Sequence, residues 1–119
     1  MLIALTRAVP PGIVHCELSH LERVPIDVDR AVAQHEEYER MLERLGCRVQ
    51  RIAPEPDMPD SVFVEDTAVV LDEVAIITRP GAESRRGETR SMADALKPYR
   101  ELAYIEAPGT LEGGDVLRL

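Results

Sequence analysis

Two stretches of helical periodicity, each set among short β-prone runs, confine this chain to folds in which helices alternate with strands. From Asp27 to Leu45, the residues Val28, Val32, His35, Tyr38, Met41, Leu42 and Leu45 recur at steps of three or four. That spacing predicts a helix with an inward apolar stripe, Asp27 as its N-cap and Gly46 as its C′ residue. Glu36, Glu37, Glu39, Arg40, Glu43 and Arg44 fill the other positions and read as a solvated face. A second helix is expected from about Ser84 to Leu96, with Met92, Ala95, Leu96 and Tyr99 facing inward.

The runs around these helices read as strands. Leu2–Leu5 is apolar and bounded by Arg7 and the breaker Pro10-Pro11-Gly12, and Arg48–Ile52 alternates weakly. Val62–Val64 and Thr67–Leu71 are β-prone, and Asp72-Glu73 then turns the chain into Val74–Thr78 as in a hairpin. Leu102–Ile105 is another short strand, Leu111–Asp115 a turn, and Val116–Leu119 the start of one more strand. Pro54, Pro56 and Pro59 mark an irregular connection, because proline has no N–H to give a helix or a central strand. Strands leading to a helix and a return strand occur twice, so the fold class is α/β or α+β.

With 119 residues the chain has length for one domain. One Phe, three Tyr and no Trp leave an aliphatic core of Leu, Val, Ile and Ala. The net charge of −8 repels phosphate backbones and anionic headgroups, so neither nucleic acid nor a membrane is expected as a partner. No apolar run approaches the roughly 20 residues of a bilayer span. The N-terminus is apolar before it is basic, the wrong order for a secretory signal, and a cytoplasmic location is expected. Cys16 and Cys47 form neither a CxxC pair nor a disulfide framework, and ordinary thiols are the simplest reading, although Cys16 has His15 beside it. Ending at Leu119 without a breaker or polar tail, the sequence reads as cut from something longer.

Asp60, Glu65 and Asp66 place three carboxylates within seven residues of an otherwise apolar stretch. In a continuous strand Glu65 and Asp66 would point to opposite faces, so both can serve one site only where the strand ends or bends. Buried acid there needs a cation, a metal or several N–H donors, or else the segment is a solvated strand end. No histidine lies close in sequence, which argues against a metal. Arg79, Arg85 and Arg86 lie in a Pro-Gly loop before the second helix. They can pair with the acidic segment or grip a ligand carboxylate through the guanidinium fork. Gly113-Gly114 permits a close backbone approach, with Glu112 beside it as an orienter for a histidine or a plain turn residue.

Together, Pro59-Asp60-Ser61-Val62-Phe63-Val64-Glu65-Asp66-Thr67-Ala68, Thr78-Arg79-Pro80-Gly81-Ala82-Glu83-Ser84-Arg85-Arg86 and Gly109-Thr110-Leu111-Glu112-Gly113-Gly114-Asp115-Val116-Leu117 closely resemble the dimethylargininases, of the guanidino-group-modifying or pentein superfamily. Thr6-Arg7-Ala8-Val9-Pro10 and His15-Cys16-Glu17-Leu18 fit the same family. The resemblance implies an α/β fold that is a partial pentein, about two ββαβ units of a five-fold α/β propeller. Residues 1–119 would then be the N-terminal part of one such domain. It further implies hydrolysis of methylated arginine, or arginine, to citrulline and an amine through a Cys-His-Glu thiol mechanism, with no cofactor. By motif, Asp60, Glu65 and Asp66 are implied around the substrate's guanidinium and amine, Arg85 at its amino-acid end and Leu18 on the lid. Glu112 is implied as the acidic catalytic residue.

Neither Cys16 nor Cys47 matches the family's nucleophile, and none of His15, His20 and His35 matches its base. Both are expected beyond Leu119, and this stretch alone is expected to be inactive. The partners expected are the guanidino substrate, with either further copies of the chain or a complementing C-terminal half. A non-catalytic guanidinium-binding module and an arginine deiminase-type activity remain alternative readings.

Overall fold

The computed structural model describes residues 1–18 and 20–119, which form two compact units, Met1–Val62 and Phe63–Leu119. In the first, β1 (Ile3–Thr6) leads through a 3-10 turn (Pro11–His15) to α1 (Val28–Arg44) and β2 (Arg48–Arg51). β1 and β2 pair in parallel with Ile3 opposite Arg48 and Thr6 opposite Arg51. Parallel pairing needs a long crossover, and α1 lies within it. Asp27 caps α1 by accepting the Arg30 N–H at 3.1 Å. At the other end Gly46 takes φ +93°, and the N–H groups of Gly46 and Cys47 close on the carbonyls of Glu43 and Leu42, both at 3.0 Å. This satisfies carbonyls the helix cannot bond itself.

The inner face of α1 differs from the expected stripe. Tyr38, Met41 and Leu45 are exposed, whereas Glu39, assigned to the solvated face by its charge, is only 4% exposed. Val28, Val32, His35 and Leu42 are partly buried, and Glu39 falls in phase with them, four residues after His35 and three before Leu42. Its carboxylate accepts the Thr6 hydroxyl at 2.9 Å and Arg51 Nε at 2.7 Å, with His35 Nε2 3.2 Å away but misaligned for a hydrogen bond. Arg7 is fully buried, donating through Nε to the Ala53 carbonyl at 2.9 Å and through Nη1 to that of Ser61 at 3.2 Å. It thereby holds the proline-rich segment that has no ladder of its own.

The second unit contains β3 (Ala68–Val70), β4 (Val74–Ile77), α2 (Thr89–Leu96) and β5 (Glu101–Tyr104), with sheet order β3-β4-β5. β3 and β4 form the expected antiparallel hairpin, and β5 returns parallel to β4 after α2. Ala75 and Ile77 of β4 and Met92, Ala93 and Leu96 of α2 make its apolar core.

Four expectations change here. Val62–Val64 is not a strand, because the Asp66 and Thr67 N–H groups bond back to the Phe63 and Val64 carbonyls and wind Val64–Asp66 into a 3-10 turn. The stretch Glu83–Glu88 is also 3-10, so the α-helix begins at Thr89 rather than Ser84. Tyr99 lies past the end of α2 and is 36% exposed, having lost the helical phase. Val116–Leu119 has no partner strand among the described residues and forms no ladder. No helix among the described residues is long and apolar enough to cross a membrane.

Burial alone would push the Glu39 carboxyl up, but hydrogen bonds from Arg51 and Thr6, with the attraction of Arg51 and His35, outweigh it and hold its pKa below the ordinary glutamate value. A carboxyl lowered in the folded state stabilises above its unfolded pKa, and that contribution disappears as pH falls through the folded pKa. Glu39→Ala, which leaves the buried Thr6 hydroxyl without its acceptor, should cost about 1–3 kcal/mol in urea unfolding at neutral pH. The difference from the parent should shrink in acid.

Candidate functional site

In the first unit, Asp60 is 6% exposed and sits at the end of the segment braced by Arg7. Both its oxygens accept the Glu17 N–H, at 3.2 and 3.1 Å. Asp60 therefore tethers the backbone next to Leu18, whose side chain is 40% exposed. Cys16, on the same segment, is buried.

In the second unit the 3-10 turn supplies the bend that Glu65 and Asp66 need. Glu65 is exposed, while the side chain of Asp66 is 23% exposed and held at both oxygens. Gly114 N–H donates to Asp66 Oδ1 at 3.2 Å, and Arg85 Nη1 donates to Oδ2 at 2.8 Å. The rest of the Arg85 guanidinium is engaged by Glu88: Nε meets Oε2 at 3.0 Å and Nη2 meets Oε1 at 2.9 Å, with the Phe63 carbonyl 3.3 Å from Nη2. Arg85 is 7% exposed and Glu88 1%. Burial works against the charge of Arg85, but its hydrogen bonds to Glu88 and then to Asp66, with the attraction of both carboxylates, prevail and hold its pKa above the usual arginine range.

Of the three loop arginines only Arg85 meets these carboxylates. Arg79 Nη1 donates to the Gly109 carbonyl at 3.2 Å, and Arg86 Nε to that of Pro80 at 3.0 Å. Arg79 pairs with Leu111 through an isolated bridge, which sets the register of the Glu112 turn. Glu112 is partly buried and precedes the 3-10 turn Gly113–Asp115. Of the glycines after it, Gly113 is required by space against backbone, and Gly114 lies close to a side chain. A Cβ on Gly113 would lie 2.1 Å from the Glu65 carbonyl oxygen and 2.7 Å from that of Ala68, and one on Gly114 would lie 2.4 Å from Asp66 Oδ1. Through this contact the second unit brings the Glu112 turn against the Glu65-Asp66 turn.

Glu88 was missed by sequence reasoning because it reads as one more charge at a helix start. The available signal was its spacing, three residues after an arginine at the first turn, where the two side chains can meet. The second unit has neither Cys nor His, and its two turns bring together carboxylates and one arginine. No group of three or more His, Cys, Asp or Glu residues placed to hold a metal ion occurs among the described residues.

No family model matches the chain. It is 42% identical over 117 residues to the N(G),N(G)-dimethylarginine dimethylaminohydrolase of Streptomyces coelicolor, covering 98% of the chain and 45% of that protein. It is 43% identical over 101 residues to the enzyme of the same name from Pseudomonas aeruginosa, covering 83% of the chain and 39% of that protein. The Pseudomonas aeruginosa enzyme in complex with citrulline superposes with a TM-score of 0.91 at 35% identity, covering the whole chain and 48% of the other. The chain thus spans about half the length of the relatives it matches, and the mixed α/β, partial-pentein expectation agrees with this likeness.

Gly113→Ala should lower the unfolding free energy by about 3 kcal/mol or more, because its methyl meets two backbone carbonyls that cannot move independently. Gly81→Ala is the control, its added Cβ lying 3.9 Å from Glu112 Oε1, an ordinary contact. Thermal unfolding of the two variants checks the contrast.

Proposed function

We propose that this chain, a homologue of an N-terminal part of the dimethylarginine dimethylaminohydrolases, supplies the guanidinium-binding portion of a hydrolase that converts methylated arginine, or arginine, to citrulline and an amine. The observation that carries this reading is the Asp66 carboxylate, fixed at both oxygens by Arg85 and Gly114 yet partly open. A fixed, acceptor-only group of this kind suits a planar cationic guanidinium.

In this reading Glu65 and Asp66 of the second unit serve the guanidinium and amine, and Glu112 orients the catalytic histidine. Carboxylates keep the guanidinium cationic and positioned while a thiolate attacks its central carbon. The amine leaves with a proton from the histidine, and water then releases citrulline from the sulfur. Cys16, Cys47 and the three histidines do not match those two roles, so these 119 residues supply binding and Glu112 only. The geometry of Arg85 favours pairing with the acidic segment over gripping the substrate's amino-acid end, since its nitrogens already meet Glu88 and Asp66.

Citrulline release from methylarginine by the full-length protein carrying this sequence tests the reading, and no release would overturn it. The 119-residue polypeptide alone should release none. Arg85→Ala in the full-length protein should lower kcat/KM by roughly 10- to 100-fold, the loss expected with a charge-assisted hydrogen bond to Asp66. Guanidines lacking the α-carboxylate should lose as much as methylarginine does. A loss confined to ligands that carry the carboxylate would put Arg85 at the substrate's amino-acid end instead.

A further inference from the structure

The Asp66–Arg85 pair presents an electrostatic difficulty for a site that binds cations. A carboxylate bonded directly to a guanidinium forms a neutral pair, with little attraction left for a second cation. Glu88 changes that balance. It lies three residues from Arg85 on the same 3-10 segment, is 1% exposed, and forks both oxygens onto Arg85 Nε and Nη2. Asp66, Arg85 and Glu88 together carry one net negative charge. Asp66, at 23% side-chain exposure, is the most open of the three, against 8% for Arg85 and 1% for Glu88.

We infer that Glu88 is a charge-balancing positioning residue: it neutralises Arg85 from behind, so that Arg85 can orient Asp66 without cancelling the negative potential that Asp66 presents to a cation. Glu88 does not touch the ligand. Its effect is to set the preference of the site for a cationic guanidino group over the neutral ureido group of the same shape. This inference rests on the proposed function above.

The test uses the full-length protein, its nucleophilic cysteine replaced by serine so that arginine is not turned over, and two ligands that differ in that charge, arginine and citrulline, with dissociation constants measured by calorimetry. In the parent protein, arginine should bind more tightly than citrulline. Failure of arginine to bind there would overturn the functional reading itself, independently of Glu88. Glu88→Gln should weaken arginine binding about tenfold, the order expected for one unit charge acting from beyond the contact shell, and leave citrulline nearly unchanged. Glu88→Asp, which keeps the charge, should restore most of the preference. The double variant Arg85→Gln with Glu88→Gln removes one charge of each sign and should recover the ratio of the two affinities, even where both ligands bind more weakly. It also serves if Glu88→Gln alone does not fold. Equal weakening of both ligands in Glu88→Gln, or a double variant that lacks the preference, would reduce Glu88 to a packing role and overturn the inference.

Discussion

Burying a guanidinium requires acceptors for its donors, and this chain meets that requirement twice in different ways. Arg7 is fully buried and donates to the carbonyls of Ala53 and Ser61, so it organises backbone that has no regular structure. Arg85 is given carboxylates and organises a site. A buried charge that loses its partner is far more costly than one never buried, so the segments around each arginine are fixed by it. In the second unit this fixes the Val64–Asp66 turn and the Glu83–Glu88 segment together, and the Gly113–Asp115 turn follows through Gly114 and Asp66.

Polar interactions carry this weight because the apolar resources are small. One Phe, three Tyr and no Trp are available, and the buried apolar residues of the first unit, among those described, are Pro10, Ile13, Cys16 and Ile52. Its other buried residues include Thr6, Arg7, Glu39, Asp60 and Ser61. The hydrophobic term scales with buried apolar area, so a unit built in this way depends on hydrogen-bonded charge for its particular arrangement.

The regular elements were legible in the sequence, because they follow from local rules. The Asp27 cap, the Gly46 terminator and the Asp72-Glu73 hairpin are decided by neighbours a few residues away. What was illegible depended on distant partners. Glu39 reads as a surface charge until Thr6 and Arg51 are placed against it, and Val62–Val64 reads as a strand until no ladder is offered to it. At the site, the acidic segment and the glycine pair stand out by composition, and adjacent carboxylates can share one side only where the chain bends, as it does at Val64–Asp66. The role of Glu88 could not be seen, since the burial that makes it matter is a tertiary property.

Glu39 has one further consequence, for the fidelity of folding. Thr6 and Arg51 are directly opposite in the parallel register of β1 and β2, and one carboxylate on α1 reads both. Because side chains alternate along a strand, a shift of one residue would turn one member of the pair to the far face. The misaligned chain would then enclose a carboxylate with part of its ligation missing. Strand pairing in this unit is thus proofread by a charge, in a chain with few bulky rings to penalise a slipped alignment by steric misfit.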